Sequence, residues 1–155
     1  MAVNRGKQFE GQVRLQLQNI DNIWVYRLHD QMSGFKGSDN PCDIMVFSKP
    51  NLILIECKAI HQHRLNFKSH IRETQWASLE YASKRDGLIA GILVWFVDDD
   101  CTYYVPIQVL VKLKDEGKVS VSSDELKGIK EVREITGVKR RIFYNYNFNS
   151  LFGGW

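Results

Sequence analysis

Cysteine and proline are scarce in this chain of 155 residues, three of each, and the cysteines (Cys42, Cys57 and Cys101) are odd in number with no CxxC pair. A disulfide framework and a cysteine zinc site are therefore excluded, and free thiols suit a reducing compartment. Long apolar runs are absent too: the longest, from Leu88 to Val97, is about half of what a bilayer span requires. The opening residues, MAVNRGKQFEG, contain no apolar targeting segment. The expectation is a cytoplasmic protein with no membrane partner. Repeats, low-complexity tracts and interdomain linkers are lacking, and neither sign of charge dominates: 21 Lys and Arg against 18 Asp and Glu leave +3, a weak pointer to an anionic partner.

What is present describes one globular domain spanning residues 1–155. With 44% hydrophobic and 25% charged residues, the composition is ordinary. A chain of this size buries roughly 70% of its unfolded surface, so it needs no staple to fold.

Phe9, Val13 and Leu17 recur every four positions and predict an amphipathic helix from Asn4 to about Gln18, with Asn4 as N-cap. The run IWVYRL (23–28) predicts a strand, and the Gly- and Ser-rich residues after it predict a long loop. Two apolar runs, CDIMVF (42–47) and LILIECK (52–58), predict a β-hairpin with a four-residue loop, Ser48 to Asn51. A helix is expected over about 69–84, a doubly buried strand over 88–97, and a paired strand after the turn Asp98–Asp100. Pro106 suits the first turn of a further helix that Gly117 closes. The order α-β-β-β-α-β-β-α implies an α/β fold with a mixed central sheet flanked by helices. Residues 118–155 alternate short strand-like and turn-like pieces with no clear order.

The hairpin register carries the chemistry. With Phe47 facing Leu52, Asp43 stands directly opposite Glu56, and Lys58 shares the Glu56 face because side chains alternate along a strand. Two carboxylates roughly 5 Å apart on otherwise apolar strands repel each other, and something must neutralise them. A hard cation, Mg²⁺ or Mn²⁺, takes such oxygen ligands and leaves positions for water and phosphate oxygens. Asp43 and Glu56 are the candidate ligands, the Cys57 backbone carbonyl a third, and Lys58 the neighbouring ammonium. That arrangement suits phosphodiester hydrolysis. The bland reading, a strand-end salt bridge of Glu56 with Lys58, leaves the facing Asp43 unexplained.

The pattern Pro41-Cys42-Asp43, twelve intervening residues, then Glu56-Cys57-Lys58 resembles the PD-(D/E)xK nuclease superfamily. Asn4-Arg5-Gly6 with Phe9-Glu10 is similar to the start of the RecU-type and archaeal-type Holliday junction resolvases. The resemblance covers roughly residues 4 to 110. It implies a restriction-endonuclease-like core, a homodimer, Mg²⁺ or Mn²⁺ as cofactor, a four-way DNA junction as substrate, and recombination proteins as possible partners. Carried onto this sequence, it makes Glu10, Asp43, Glu56 and Lys58 catalytic, with Glu10 also near the metal, and adds Gln75 on the following helix. On spacing alone, Glu10 and Gln75 are surface residues of helices. The stalk that RecU-type proteins insert between their early strands is short here, His29 to Pro41.

Candidate DNA contacts are Arg5, Arg64, Lys68 and Arg72, and the loop residues Arg27, His29, Lys36 and Ser38 are added purely by analogy as contacts to the junction centre. Lys139-Arg140-Arg141, followed by Phe143, Tyr144, Tyr146 and Phe148, reads equally well as a nucleic-acid surface or as a basic turn before a core strand. His61 and His63 lack further ligands at zinc spacing, and Asp98–Asp100 reads as a solvated turn. The function expected is a metal-dependent endonuclease that resolves four-way junctions. The alternatives are a nuclease of the same fold for restriction-like, flap or mismatch substrates, and a non-catalytic DNA-binding or recombination-modulating module.

Overall fold

The structure is a computed structural model and describes residues 4–29 and 40–155. Helix α1 (Arg5–Gln18) forms as its pattern predicts: Phe9, Val13 and Leu17 are fully buried, and the Asn4 side chain caps it by accepting the Lys7 N–H at 3.0 Å. Strands β1 (Trp24–Arg27), β2 (Ile44–Ser48), β3 (Asn51–Ile60) and the short β4 (Arg64–Asn66) follow, then α2 (Glu73–Ser83), β5 (Leu88–Phe96), β6 (Cys101–Pro106) and α3 (Ile107–Asp115). The C-terminal region adds β7 (Ser120–Ser122), α4 (Ser123–Lys127), β8 (Arg133–Glu134), β9 (Gly137–Arg140), β10 (Phe143–Tyr146) and a 3₁₀ turn at Asn149–Leu151.

Six strands make a mixed sheet in the order β1-β2-β3-β5-β6-β8, antiparallel except for the β3–β5 pair. Parallel neighbours require a crossover, and α2 lies on it. The pairs β4–β7 and β9–β10 stand apart as two-stranded sheets.

Alternation along β3 sorts the core into two layers. Ile53, Ile55 and Cys57 join Phe9, Val13 and Leu17 of α1 on one face, while Leu54 and Ile60 join Leu79 of α2 and Ile107 and Leu110 of α3 on the other. Glu56 and Lys58 therefore belong to the α2 face.

Three local expectations are corrected. The β2–β3 register is as read, Phe47 opposite Leu52, but Ser48 pairs with Asn51, so the turn is Lys49-Pro50 rather than four residues. Helix α2 starts at Glu73, not Ser69, because the Asn66 side chain accepts the Lys68 and Ser69 N–H groups and turns the chain there. Pro106 is the residue before α3, where its missing N–H costs nothing, rather than part of the first turn. No helix among the described residues is long and apolar enough to cross a membrane.

Close approach of β5 to β6 depends on Gly91: a Cβ there would lie 2.4 Å from the Val105 carbonyl oxygen and 2.9 Å from the Tyr104 ring. Gly91→Ala is expected to cost roughly 1–3 kcal/mol, as overpacking does. Gly11 in α1 meets nothing within 4 Å, so Gly11→Ala is expected to be stabilising by up to about 1 kcal/mol. Urea unfolding followed by circular dichroism measures both.

Candidate active site

Strand β3 outruns β2. The β2 ladder ends at the Ile44–Ile55 pair, while β3 continues to Ile60 with β5 alone beside it. On the open side the Ile55 carbonyl accepts the Asp43 N–H at 3.1 Å, and the Cys57 N–H donates to Asp43 Oδ2 at 2.8 Å. A carboxylate thus takes the place of the next ladder carbonyl. Asp43 is pinned from the other side, since its own carbonyl accepts the Leu28 N–H at 2.9 Å. The N–H and C=O of one strand residue point the same way, so the Cys57 carbonyl faces the Asp43 side as well.

Glu56 is buried, only 4% exposed, on the α2 face. Its Oε1 accepts from Gln75 Nε2 at 2.6 Å and lies 3.3 Å from Lys58 Nζ, and Lys58 donates to Gln75 Oε1 at 3.1 Å. Gln75 Oε1 also accepts the Arg72 N–H at 3.2 Å, which ties its amide to the start of α2. Burial first, and the Asp43 charge second, raise the Glu56 carboxyl to about 7, against the opposing pull of Lys58 and Arg72. Burial also pushes the Cys57 thiol up, helped by the charges of Asp43, Glu56 and Glu10, which leaves the thiol inert.

Among the described residues, no three His, Cys, Asp or Glu side chains form a group able to hold a metal ion. Glu10 does not complete such a set: it is buried at the end of the α1 core and accepts from Arg27 Nε at 2.9 Å. Arg27, expected at a junction, is thereby tied to Glu10. What remains is a pair of carboxylates, Asp43 and Glu56, with the Cys57 carbonyl. Burial first and the neighbouring Asp43 charge second disfavour the Glu56 carboxylate, a cost that a hard divalent ion would offset, and oxygen donors of this kind are what Mg²⁺ or Mn²⁺ accepts. The donor set fits the ion.

The other expected contacts divide. Arg72 and Lys68 are exposed near the start of α2. Arg64 is engaged by Ser120 and by Glu125 at 3.1 Å. Arg5 lies over the Phe143 ring, 5.5 Å from its centroid. His29 is exposed and its carbonyl accepts from Asn40, while Lys36 and Ser38 lie outside the described residues. The three aspartates of the turn are each partnered: Asp98 with His61, Asp99 with His63 and Ser123, and Asp100 with Lys139 and Tyr144. His70 has its pKa lowered by burial and by the Lys58 charge, and its Nδ1 accepts the Asn66 N–H. Sequence reasoning missed the Asp43 bond to the Cys57 main chain and the Glu10–Arg27 pair, neither of which leaves a local signal.

A pH dependence follows from Glu56. Its carboxyl holds a proton up to about 7 in the folded state and up to about 4.5 when unfolded, so the folded state binds the extra proton. Stability is greatest below this window and falls as pH rises through it. In EDTA, wild-type protein is expected to lose on the order of 3 kcal/mol more than Glu56→Gln between pH 4.5 and 8. Urea midpoints measured across that range check this, and Mn²⁺ at pH 8 should raise the midpoint of the wild type alone.

No family model matches the chain, and no curated protein does. Among solved structures, the chain is similar to Hjc, a Holliday junction resolvase from the archaeal hyperthermophile Archaeoglobus fulgidus, with a TM-score of 0.48 and 19% identity over 66% of this chain and 78% of that one.

Proposed function

We propose that this chain is a metal-dependent endonuclease that cuts four-way DNA junctions as a homodimer. The observation that carries the reading is the polar cluster gathered around the overhanging part of β3, with Glu56 and Lys58 on the strand, Gln75 reaching them from α2 and Asp43 bonded to the strand edge. Asp43, Glu56 and the Cys57 carbonyl would hold Mg²⁺ or Mn²⁺. Bound there, the ion lowers the pKa of a water ligand and offsets charge on the phosphate in the transition state.

The chain's own residues do the rest. Lys58 brings its ammonium to the rim of the cluster, where its side chain is one-fifth exposed and can hold a water or a phosphate oxygen. Gln75 positions Lys58 and Glu56 together, and the Arg72 N–H fixes Gln75. Exposed Lys68 and Arg72 extend the positive surface along the DNA backbone. Two cuts on opposed strands need two sites, hence two copies. Trp24 and Tyr26, stacked at 5.7 Å and about half exposed beside Phe47 on the edge of the sheet, support an interface there.

Asp43→Asn and Glu56→Gln are expected to abolish cutting of a labelled junction with Mg²⁺ while junction binding persists. Lys58→Ala should slow cutting roughly 10²–10³-fold, and Gln75→Ala about 10–100-fold. Undiminished cutting by Glu56→Gln overturns the site, and linear duplex cut as fast as the junction overturns the substrate.

A further inference from the structure

An isolated two-stranded hairpin is marginal in water, yet β9–β10 is braced along the whole of β10. Phe143 and Tyr144 pack on Trp95, with ring centroids 5.8 and 6.3 Å away, and Tyr146 packs on Phe9 at 6.3 Å. Gln16 of α1 donates to the Tyr144 carbonyl at 2.8 Å and accepts the Tyr146 N–H at 2.7 Å. Asp100 accepts from Tyr144 Oη at 2.7 Å and from Lys139 Nζ at 2.9 Å. The hairpin is therefore held against the body of the protein from Tyr146 up to Phe143, and only its turn is left without such packing.

Its tip is built differently. Phe143 pairs with Arg140, which leaves Arg141 and Ile142 as the two turn residues. Two-residue hairpin turns favour glycine or asparagine where φ is positive. Here Arg141 takes φ 53° and is followed by Ile142, which is 49% exposed. A turn that only reversed the chain gains nothing from arginine at positive φ, which costs roughly 1 kcal/mol, or from an exposed isoleucine. Local backbone preference has been overridden, as happens where a side chain has other work.

The tip also has a defined place. Trp95, against which Phe143 and Tyr144 pack beside the turn, is in register with Ala59, the residue after Lys58 on β3. The hairpin thus lies at the same end of the sheet as the candidate active site, on the α1 face, the side of the sheet opposite Glu56 and Lys58. Two guanidinium groups directly before an exposed branched apolar residue match the way proteins hold phosphates while wedging a side chain between base pairs.

We infer that the β9–β10 hairpin is a DNA-engaging arm, in which Arg140 and Arg141 bind phosphates of the branched substrate and Ile142 enters and unstacks a base step at the branch point. This rests on the nuclease reading and names the part of the chain that distinguishes a branch from continuous duplex. An already weakened step at the branch costs less to open than one inside a duplex, so the wedge favours junctions.

The experiment uses full-length protein carrying Glu56→Gln to prevent cutting, a four-way junction with 2-aminopurine beside the branch point, and a linear duplex of the same composition. Binding is expected to raise 2-aminopurine fluorescence on the junction only. Adding Ile142→Ala should abolish the rise and leave the salt dependence of binding intact, while Ile142→Leu retains the rise. Arg140→Ala with Arg141→Gly, glycine being suited to the positive φ, should reduce the slope of log affinity against log salt by about 2. Unchanged melting temperatures establish that the variants fold. A fluorescence rise that survives Ile142→Ala, or a salt slope unchanged by the arginine pair, overturns the arm even if cutting still depends on Glu56. Failure of the Glu56→Gln protein to bind DNA at all overturns the arm and the nuclease reading together.

Discussion

The bond from the Cys57 N–H to the Asp43 carboxylate settles how the end of the sheet is built. A strand that outruns its neighbour exposes main-chain donors and acceptors, and within the fold these must find partners. β3 meets the requirement on one side with β5 and on the other with a side chain. The substitution places one carboxylate at the strand edge and leaves the next main-chain carbonyl on the same side. It also ties Asp43 to Glu56, because the Asp43 carboxylate is bonded to the main chain of the residue next to Glu56. The geometry of the candidate site is thus a consequence of satisfying the overhang.

Electrostatics work against stability at this place. Glu56 lies among apolar neighbours, and its Lys58 partner and Gln75 amide only partly offset the cost of burial, as the raised carboxyl shows. Buried ion pairs of this kind are often no better for stability than well-packed hydrophobic residues. A chain shaped for stability alone would carry leucine or valine here, as Leu54 and Val94 do on the same face. The cluster is therefore best understood through the chemistry it supports.

How much of this was legible from the residues alone depends on range. The apolar runs on either side of a turn fix the β2–β3 register, so Asp43 and Glu56 could be placed together before any coordinates. The hairpin pattern says nothing, however, of a side chain replacing a main-chain partner, and Asp43 lies one residue beyond the ladder that the pattern describes. Glu10 meets Arg27 because α1 docks beside β1, and the turn aspartates meet His61, His63 and Lys139 from distant parts of the chain. Such pairs follow from tertiary packing rather than from periodicity. The same holds for residues 118–155, whose strands are two to four residues long and are defined mainly by what they pack against.

The parallel pairing of β3 with β5 has a temporal consequence. Glu56 and Lys58 sit on a strand whose overhang is supported by a partner that arrives only after α2, which itself carries Gln75. Contacts across such a crossover close late, since loop entropy must be overcome before they contribute. A nascent or partly unfolded chain can hold the hairpin of β2 and β3 without assembling the polar cluster. The buried contacts among Glu56, Lys58 and Gln75 would then form only with the completed sheet, so this polar cluster reports the last stage of folding.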